Sequence, residues 1–198
     1  MARIRRDEKL HTIVAKAWCI IAAMEDAFPH FDIEFLAPDV NQMNPGLREV
    51  FKYWQRLCGT NIIPSWTDFD WMELPSDVIP WCVVMDAVEE PLDFVYRFWG
   101  TARTQLQGTD YTGMSVSEVS PQSLSLKIFE EYKSVWETGK PAHFVTTDFS
   151  DINGQRFEYH FLRIPFGDDQ QRVTQILGVG MHEEQDIKRI QNFFQPDG

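Results

Sequence analysis

The stretch Phe94 to Gly113, FVYRFWGTARTQLQGTDYTG, decides how the rest of the chain is read. Phe94 to Trp99 is aromatic and β-branched, a composition that suits a half-buried pleated strand. Gly100 allows a sharp exit, and Thr101 reads as a fair N-cap for a short helical run, Thr101 to Leu106. Gly108-Thr109-Asp110-Tyr111-Thr112-Gly113 closes the segment, with Asp110, Thr112 and Gly113 expected to form a local turn network. The result is a strand, a tight corner and a helix crossing back over the sheet.

Working outward, Trp81 to Ala87 is a second β-rich run, joined to Leu92 to Trp99 by Val88-Glu89-Glu90-Pro91 as a hairpin. Asn44-Pro45 pairs a capping asparagine with a proline at the first helical position. Leu47, Val50, Phe51, Trp54 and Leu57 then make one core-facing stripe, and Gly59 stops the helix. Thr60 to Pro80 carries three prolines and reads as an irregular wrap with one helical turn near Asp70 to Leu74. Asp68 and Asp70 are taken as cap and turn residues, since two carboxylates without a calcium-loop pattern do not make a cation site.

Downstream, Pro121 to Thr138 places Leu124, Ile128, Phe129, Tyr132, Val135 and Trp136 at helical spacing, ended by Gly139. Three strands follow, Ala142 to Ser150, Gln155 to Pro165 and Gln171 to His182. Asn153-Gly154 is a type I′ hairpin signal. If those two residues are the whole loop, Ile152 faces Gln155 and the ladder sorts the side chains. His143, Val145, Thr147, Phe149, Glu158, His160, Leu162 and Ile164 share one face; Phe144, Thr146, Asp148, Phe157, Tyr159, Phe161 and Arg163 share the other. A one-residue slip exchanges the two sets. Both are largely apolar, so the sheet needs cover on both sides.

The ends of the chain carry further apolar stripes. From Leu10 to Phe28 the apolar residues recur at spacings of three and four, until Pro29 ends the run. This helix is the expected cover for the outer face of the sheet, or a contact with a second chain. Asp32 to Gln42 reads as a linker. In Glu184 to Phe194, Ile187, Ile190, Phe193 and Phe194 fall on one helical face, and because only four residues follow Phe194, any output is expected to be a surface offered to a partner.

Length and charge exclude several classes. A chain of 198 residues suits one domain with extensions and is short for a sensor plus an ordinary catalytic domain. With 43% hydrophobic and 14% aromatic residues it is not disordered, and its net charge of −12 argues against a nucleic-acid or anionic-membrane surface. Cys19, Cys58 and Cys82 form no Cys-x-x-Cys pair and read as free structural thiols in a reducing compartment. Asp7, Glu8 and Lys16 break up the N-terminal segment, leaving no membrane span and a cytoplasmic expectation. There is no phosphate loop, no Gly-x-Ser-x-Gly elbow and no zinc helix, for His182-Glu183-Glu184 lacks the second histidine. His143 and His160 are read as hydrogen-bonded strand residues and not haem ligands. Arg97 and Arg163, in apolar strands, are expected to pair with an acid such as Asp148, an anionic ligand being the alternative.

The central stretch resembles the core of a PAS domain, and more narrowly a bacterial family of stand-alone PAS domains with the pattern aromatic-x-Tyr-Arg-x-x-Gly-Thr. Phe94, Tyr96, Arg97, Gly100 and Thr101 meet it. Tyr53-Trp54, Pro64-Ser65, Asp68, Asp70, Leu74-Pro75 and Ile79-Pro80 fit the lead-in, and Tyr132, Gly139, Pro141, Tyr159 and Pro165 fit the later helix and hairpins, so the resemblance runs from about Pro45 to His182. Trp99 departs from it, standing where a smaller aliphatic is expected and part-filling the cavity.

The resemblance implies an α+β PAS fold, a five-stranded antiparallel sheet with short helices over one face and an N-terminal helical extension. The implied organisation is 1–44 as helix and linker, 45–183 as the PAS domain and 184–198 as C-terminal helix and tail. It further implies a sensory module, without enzymatic activity, that binds a small molecule or partner protein and signals through flanking-helix or homodimer contacts. The implied ligand-binding residues are Tyr96, Phe98, Thr101, Leu106, Tyr132, Trp136, Val145, His160 and Leu162. No cofactor is assigned; Thr101 to Gly113 has no cysteine for flavin attachment. The rival readings are a small α+β cone enzyme, of isomerase or hydratase type, using His160 with Asp148 or Glu158, and a ligand-free scaffold with a filled core.

Overall fold

The computed structural model describes residues 33–36, 38–120, 122–150, 156–182, 187, 188 and 191. Six strands form one sheet: β1 (Ile33–Leu36), β2 (Cys82–Val88), β3 (Asp93–Trp99), β4 (Ala142–Ser150), β5 (Arg156–Gly167) and β6 (Val173–Met181), in the order β1-β4-β5-β6-β2-β3. Every pairing is antiparallel. The five strands from Cys82 onward therefore share one sheet, as the PAS resemblance implies. The sixth corrects the linker reading of Asp32 to Gln42, because Ile33–Leu36 pairs with β4 from Thr146 to His143.

Among the described residues the sheet is accompanied by α1 (Pro45–Cys58), α2 (Thr101–Gln107) and α3 (Gln122–Thr138). Helix α1 starts as its sequence dictates, with Asn44 Oδ1 accepting the Gly46 N–H at 2.9 Å, and its stripe of Leu47, Val50, Phe51 and Trp54 is buried. Full burial of each such side chain contributes about 1.5–3 kcal/mol. The Trp54 indole donates to the Pro165 carbonyl at 2.7 Å, tying α1 to β5, and Gly46 lies against Met181 of β6. Cover for the outer face thus comes from α1; the Leu10 to Phe28 segment expected there lies outside the described residues.

Helix α3 lies across the opposite, inner face. Phe94 of β3 meets Phe129 and Tyr132 of α3 at ring separations of 5.7 and 5.6 Å. Between α1 and β2 the chain wraps through three short 3-10 turns, Trp66–Asp68, Trp71–Glu73 and Ile79–Trp81. Asp70 is a turn cap, accepting the Met72 N–H at 2.9 Å.

The β4–β5 ladder runs His143 opposite Leu162 and Val145 opposite His160. A two-residue loop at Asn153-Gly154 would instead set His143 opposite Ile164, so the register differs from expectation by two residues. From His143 to Thr146 a shift of two leaves each side chain on its face. Past an irregularity between Thr146 and Phe149 the ladder sets Phe149 opposite Phe157, one residue from the expected Glu158, so these two residues do not keep the expected opposite faces. Residues 151–155, and with them that loop, lie outside the described residues.

Candidate functional site

The corner after β3 needs Gly100 for close approach. Its φ of −65° is open to any residue, but a Cβ would sit 2.6 Å from the Pro80 carbonyl carbon and 2.8 Å from the Cys82 carbonyl oxygen. Gly100 itself occupies the cap position of α2 and Thr101 is the first helical residue, so the N-cap expected at Thr101 is one residue off. Gly108, at φ 75°, ends the helix in the left-handed region. The closing loop then returns to the edge of β3, where Tyr96 donates to Met114 O at 2.9 Å and Gly113 donates to Tyr96 O at 2.7 Å. Asp110 Oδ1 holds the turn by accepting from Thr112 Oγ1 and N at 2.6 and 2.9 Å. Those hydrogen bonds keep its carboxyl below the usual range.

One register detail sorts the aromatics. Met85 pairs with Tyr96 and Val84 with Phe98, leaving Arg97 as an extra residue on β3. This bulge puts Tyr96 and Trp99 together on the inner face and turns Phe98 outward, where its ring lies 5.0 Å from Trp71. Trp99 contacts Tyr96 at 5.2 Å and Tyr111 at 4.9 Å.

Two arginines complete the inner cluster. The guanidinium of Arg103, on α2, lies 5.2 Å from the Trp99 ring and 5.4 Å from Phe161. That of Arg163, on β5, lies 4.7 Å from Tyr132 and 5.1 Å from Phe161. Arg163 Nη2 also donates to Glu131 Oε2 of α3 at 3.0 Å, both residues being buried. Strand β6 makes room for this arrangement. A Cβ at Gly178 would come within 2.7 Å of Arg163 Nη1 and 2.8 Å of Tyr132 Oη, and one at Gly180 would run into the Phe161 ring.

The electrostatics follow from burial. Burial pushes the Glu131 carboxyl up, and the charge and hydrogen bond of Arg163 pull it part of the way back. Burial alone lowers the affinity of Arg163 for its proton, but Tyr132 and Glu131 outweigh it and the net direction is upward. Tyr96 is raised by burial, against the two nearby arginines. His182, at the end of β6 with its ring 5.2 Å from Trp81, is pushed down to about 3 by burial and then by the charge of Arg103. Burial raises the Cys82 thiol to about 12, with Arg103 opposing, which suits an inert core residue.

The nine residues expected to bind a ligand fall in different places. Tyr96 and Tyr132 are buried in the inner cluster, Leu106 is buried on α2, and Trp136 is half-buried against the core. Thr101 is exposed. Phe98, Val145, His160 and Leu162 belong to the other face, the side that meets α1. There His160 Nδ1 and His143 Nε2 are 2.9 Å apart, so one ring donates and the other accepts. The side chains of Asp148 and Glu158, the acids considered for His160, lie outside those described. Arg97 pairs with Asp86, Nη2 to Oδ1 at 2.8 Å, and Arg163 with Glu131, so both arginines form ion pairs, with acids other than Asp148. Among the described residues no three His, Cys, Asp or Glu side chains converge to hold a metal ion, and no helix is long and apolar enough to cross a membrane.

Arg103, Glu131, Phe161 and Trp99 are among the inner-face residues that the expected list omits. Glu131 stands in step with Leu124, Ile128 and Val135 on the buried stripe of α3, which was the signal for its inward aim.

Solved structures with similar folds include an RNA-binding light-oxygen-voltage receptor, 15% identical with TM-score 0.42 over 85% of this chain and 43% of that one. The dark structure of the blue-light photoreceptor Aureochrome1 LOV is 15% identical, with TM-score 0.39 over 63% of this chain and 91% of that one. A variant of the fungal photoreceptor VVD is 16% identical, with TM-score 0.37 over 70% of this chain and 97% of that one. The chain spans less than half the length of the first of these. No curated protein matches. A family model described as PAS domain matches residues 42–181, well over half of the sequence and the same span as α1 to β6. The chain belongs to the PAS domain family.

Proposed function

We infer that this chain is a sensory signalling module in which a small molecule or partner protein acts at the inner face and the flanking helices carry the response. The observation that supports this most directly is the double engagement of α2. Arg103 of that helix stacks within the inner cluster, and the backbone carbonyl of Gln105, two residues on, accepts a hydrogen bond from Gln191 Nε2 of the C-terminal segment at 3.2 Å. A change in how Arg103 packs is thereby coupled to where the C-terminal segment docks. The mechanism is a population shift, an occupant favouring one packing of α2 and its flanking helices over another. The output surface is the apolar side of those helices, offered to a second copy of the chain or to a signalling partner.

A second reading is favoured by Trp99, whose burial between Tyr96 and Tyr111 fills inner-face space. On that reading the module is a scaffold that works through protein contacts alone. Native mass spectrometry of the full chain, purified from its own host, separates the two. A bound small molecule released on unfolding is the expected result; the bare chain mass alone counts against the sensor and for the scaffold.

A further inference from the structure

The wrap between α1 and β2 carries a ribbon of rings at the surface. Trp66 stacks on Phe69 at 4.8 Å, Phe69 meets Trp71 edge-on at 4.9 Å, and Trp71 meets Phe98 of β3 at 5.0 Å. All four are half-buried, so each packs against the core and keeps part of its surface in water. Met72 follows Trp71 on the same 3-10 turn and is 86% exposed. The charge along this wrap has one sign. Residues 60–80 hold Asp68, Asp70, Glu73 and Asp77 and no lysine or arginine. Asp68, Asp70 and Glu73 alternate with the rings and are exposed. Glu73 has Arg56 Nη2 at 3.9 Å, but both side chains are more than half exposed, and water screens such a pair. Apolar surface of this kind with a polar rim marks sites of protein contact, and aromatic residues and methionine are enriched there.

We propose that this ribbon docks a basic segment of a partner protein, one in which arginine or lysine alternates with large apolar residues. Each part of that chemistry answers a part of the surface. Met72, unbranched and adaptable, takes an apolar anchor together with the open sides of Trp66 and Trp71. The cationic groups lie over the rings and pair with Asp68, Asp70 and Glu73. The same acids turn away the alternatives. An acidic segment, a phosphate backbone or an anionic bilayer would meet charge of its own sign, and a second copy docked ribbon to ribbon would set the acids of one chain against those of the other. The ribbon is separate from the inner face, so this docking stands or falls independently of the sensory reading.

Fluorescence anisotropy of a labelled peptide of alternating arginine and leucine, titrated with the full chain, tests it. Two control peptides carry glutamate for arginine, or serine for leucine. The arginine-leucine peptide is expected to bind at least about tenfold more tightly than either control. Met72→Ser should weaken it about tenfold and Asp68→Asn about 2- to 5-fold. Leu126→Ser removes an exposed leucine on α3, away from the ribbon, and should leave binding unchanged. All three positions are exposed, so none of these changes threatens the core. Equal binding of the arginine-serine peptide would reduce the surface to charge alone and overturn the docking. No binding of the arginine-leucine peptide, or a loss from Leu126→Ser as large as that from Met72→Ser, would overturn it too. A lower mass for Met72→Ser than for the native chain in light scattering would put a second copy on the ribbon, which also overturns the partner proposed.

Discussion

Glu131→Gln removes one charge from the buried pair and keeps its shape. Glu131 Oε2 and Arg163 Nη2 are 3.0 Å apart, with side chains 11% and 7% exposed, so little water screens them. The amide oxygen of glutamine still accepts from Nη2, but the guanidinium is left in the core without its counter-charge, and it does not deprotonate. Stranding one member of a buried pair costs about 3–5 kcal/mol, which for a chain of this size lowers the melting temperature by roughly 6–20 °C. Urea unfolding near neutral pH, followed by tryptophan fluorescence, reads that loss, and Glu131→Leu combined with Arg163→Met should recover most of it, since replacing both charges by apolar groups is often neutral. The reasoning turns on Glu131 being ionised. Burial opposes ionisation and Arg163 favours it, so a cost of Glu131→Gln below about 1 kcal/mol, the range of a neutral hydrogen-bond change, would mean that burial has won and that the native carboxyl already carries a proton.

Further expectations follow from single contacts. His182 has a folded pKa of about 3 against an ordinary 6.5; the unfolded chain therefore takes up a proton that the folded chain refuses, and stability, full above 6.5, falls as pH drops through that window. The slope approaches about 1.4 kcal/mol per pH unit, and His182→Gln should flatten it in melts between neutral and mildly acid pH. Gly100→Ala should cost about 1–3 kcal/mol through backbone overlap with Pro80 and Cys82, measured by urea midpoint. Trp54→Phe removes the donor to Pro165 O and should cost about 1–3 kcal/mol by thermal melt, since it strands a buried carbonyl. On the proposal that Leu10 to Phe28 makes a contact with a second copy, a chain beginning near Phe31, which keeps β1, should have a lower mass in light scattering than expected from the truncation alone; a mass lower only by the missing residues would remove that segment from the contact.

The architecture was legible where local chemistry and burial agree. Asn44, Pro45 and Gly59 bracket α1, the aromatic alternation marks β3, and the periodic stripe marks α3, each from a few neighbouring residues. What was missed depends on long-range pairing. Ile33–Leu36 carries too little pattern to announce a strand and becomes one only because β4 offers an edge. Strict alternation groups Phe98 with Tyr96, and only the bulge at Arg97, created by pairing with β2, exchanges Phe98 for Trp99. The choice between the two sides of β4 and β5 was open for a related reason: both sides are apolar, and the side that meets α2 and α3 is the one carrying Phe161 and Arg163. A lone arginine in an apolar strand was the signal for it, because a charge at that position has to be met by an element from outside the sheet.

The same physics makes α2 the sensitive part of the fold. A helix of seven residues is far below the length at which helices persist on their own, and its cap is a glycine without a side-chain hydrogen bond. Its position is therefore set by what it touches: the buried Leu106, Arg103 against Trp99 and Phe161, and the Gln105 carbonyl against Gln191. The Arg103 stacking and the Gln191 hydrogen bond are the weaker contacts, of the order of 1 kcal/mol each. On the proposed sensory reading, an occupant that alters either by that amount would change the populations of two packings several-fold, whereas the sheet beneath is held by five antiparallel ladders.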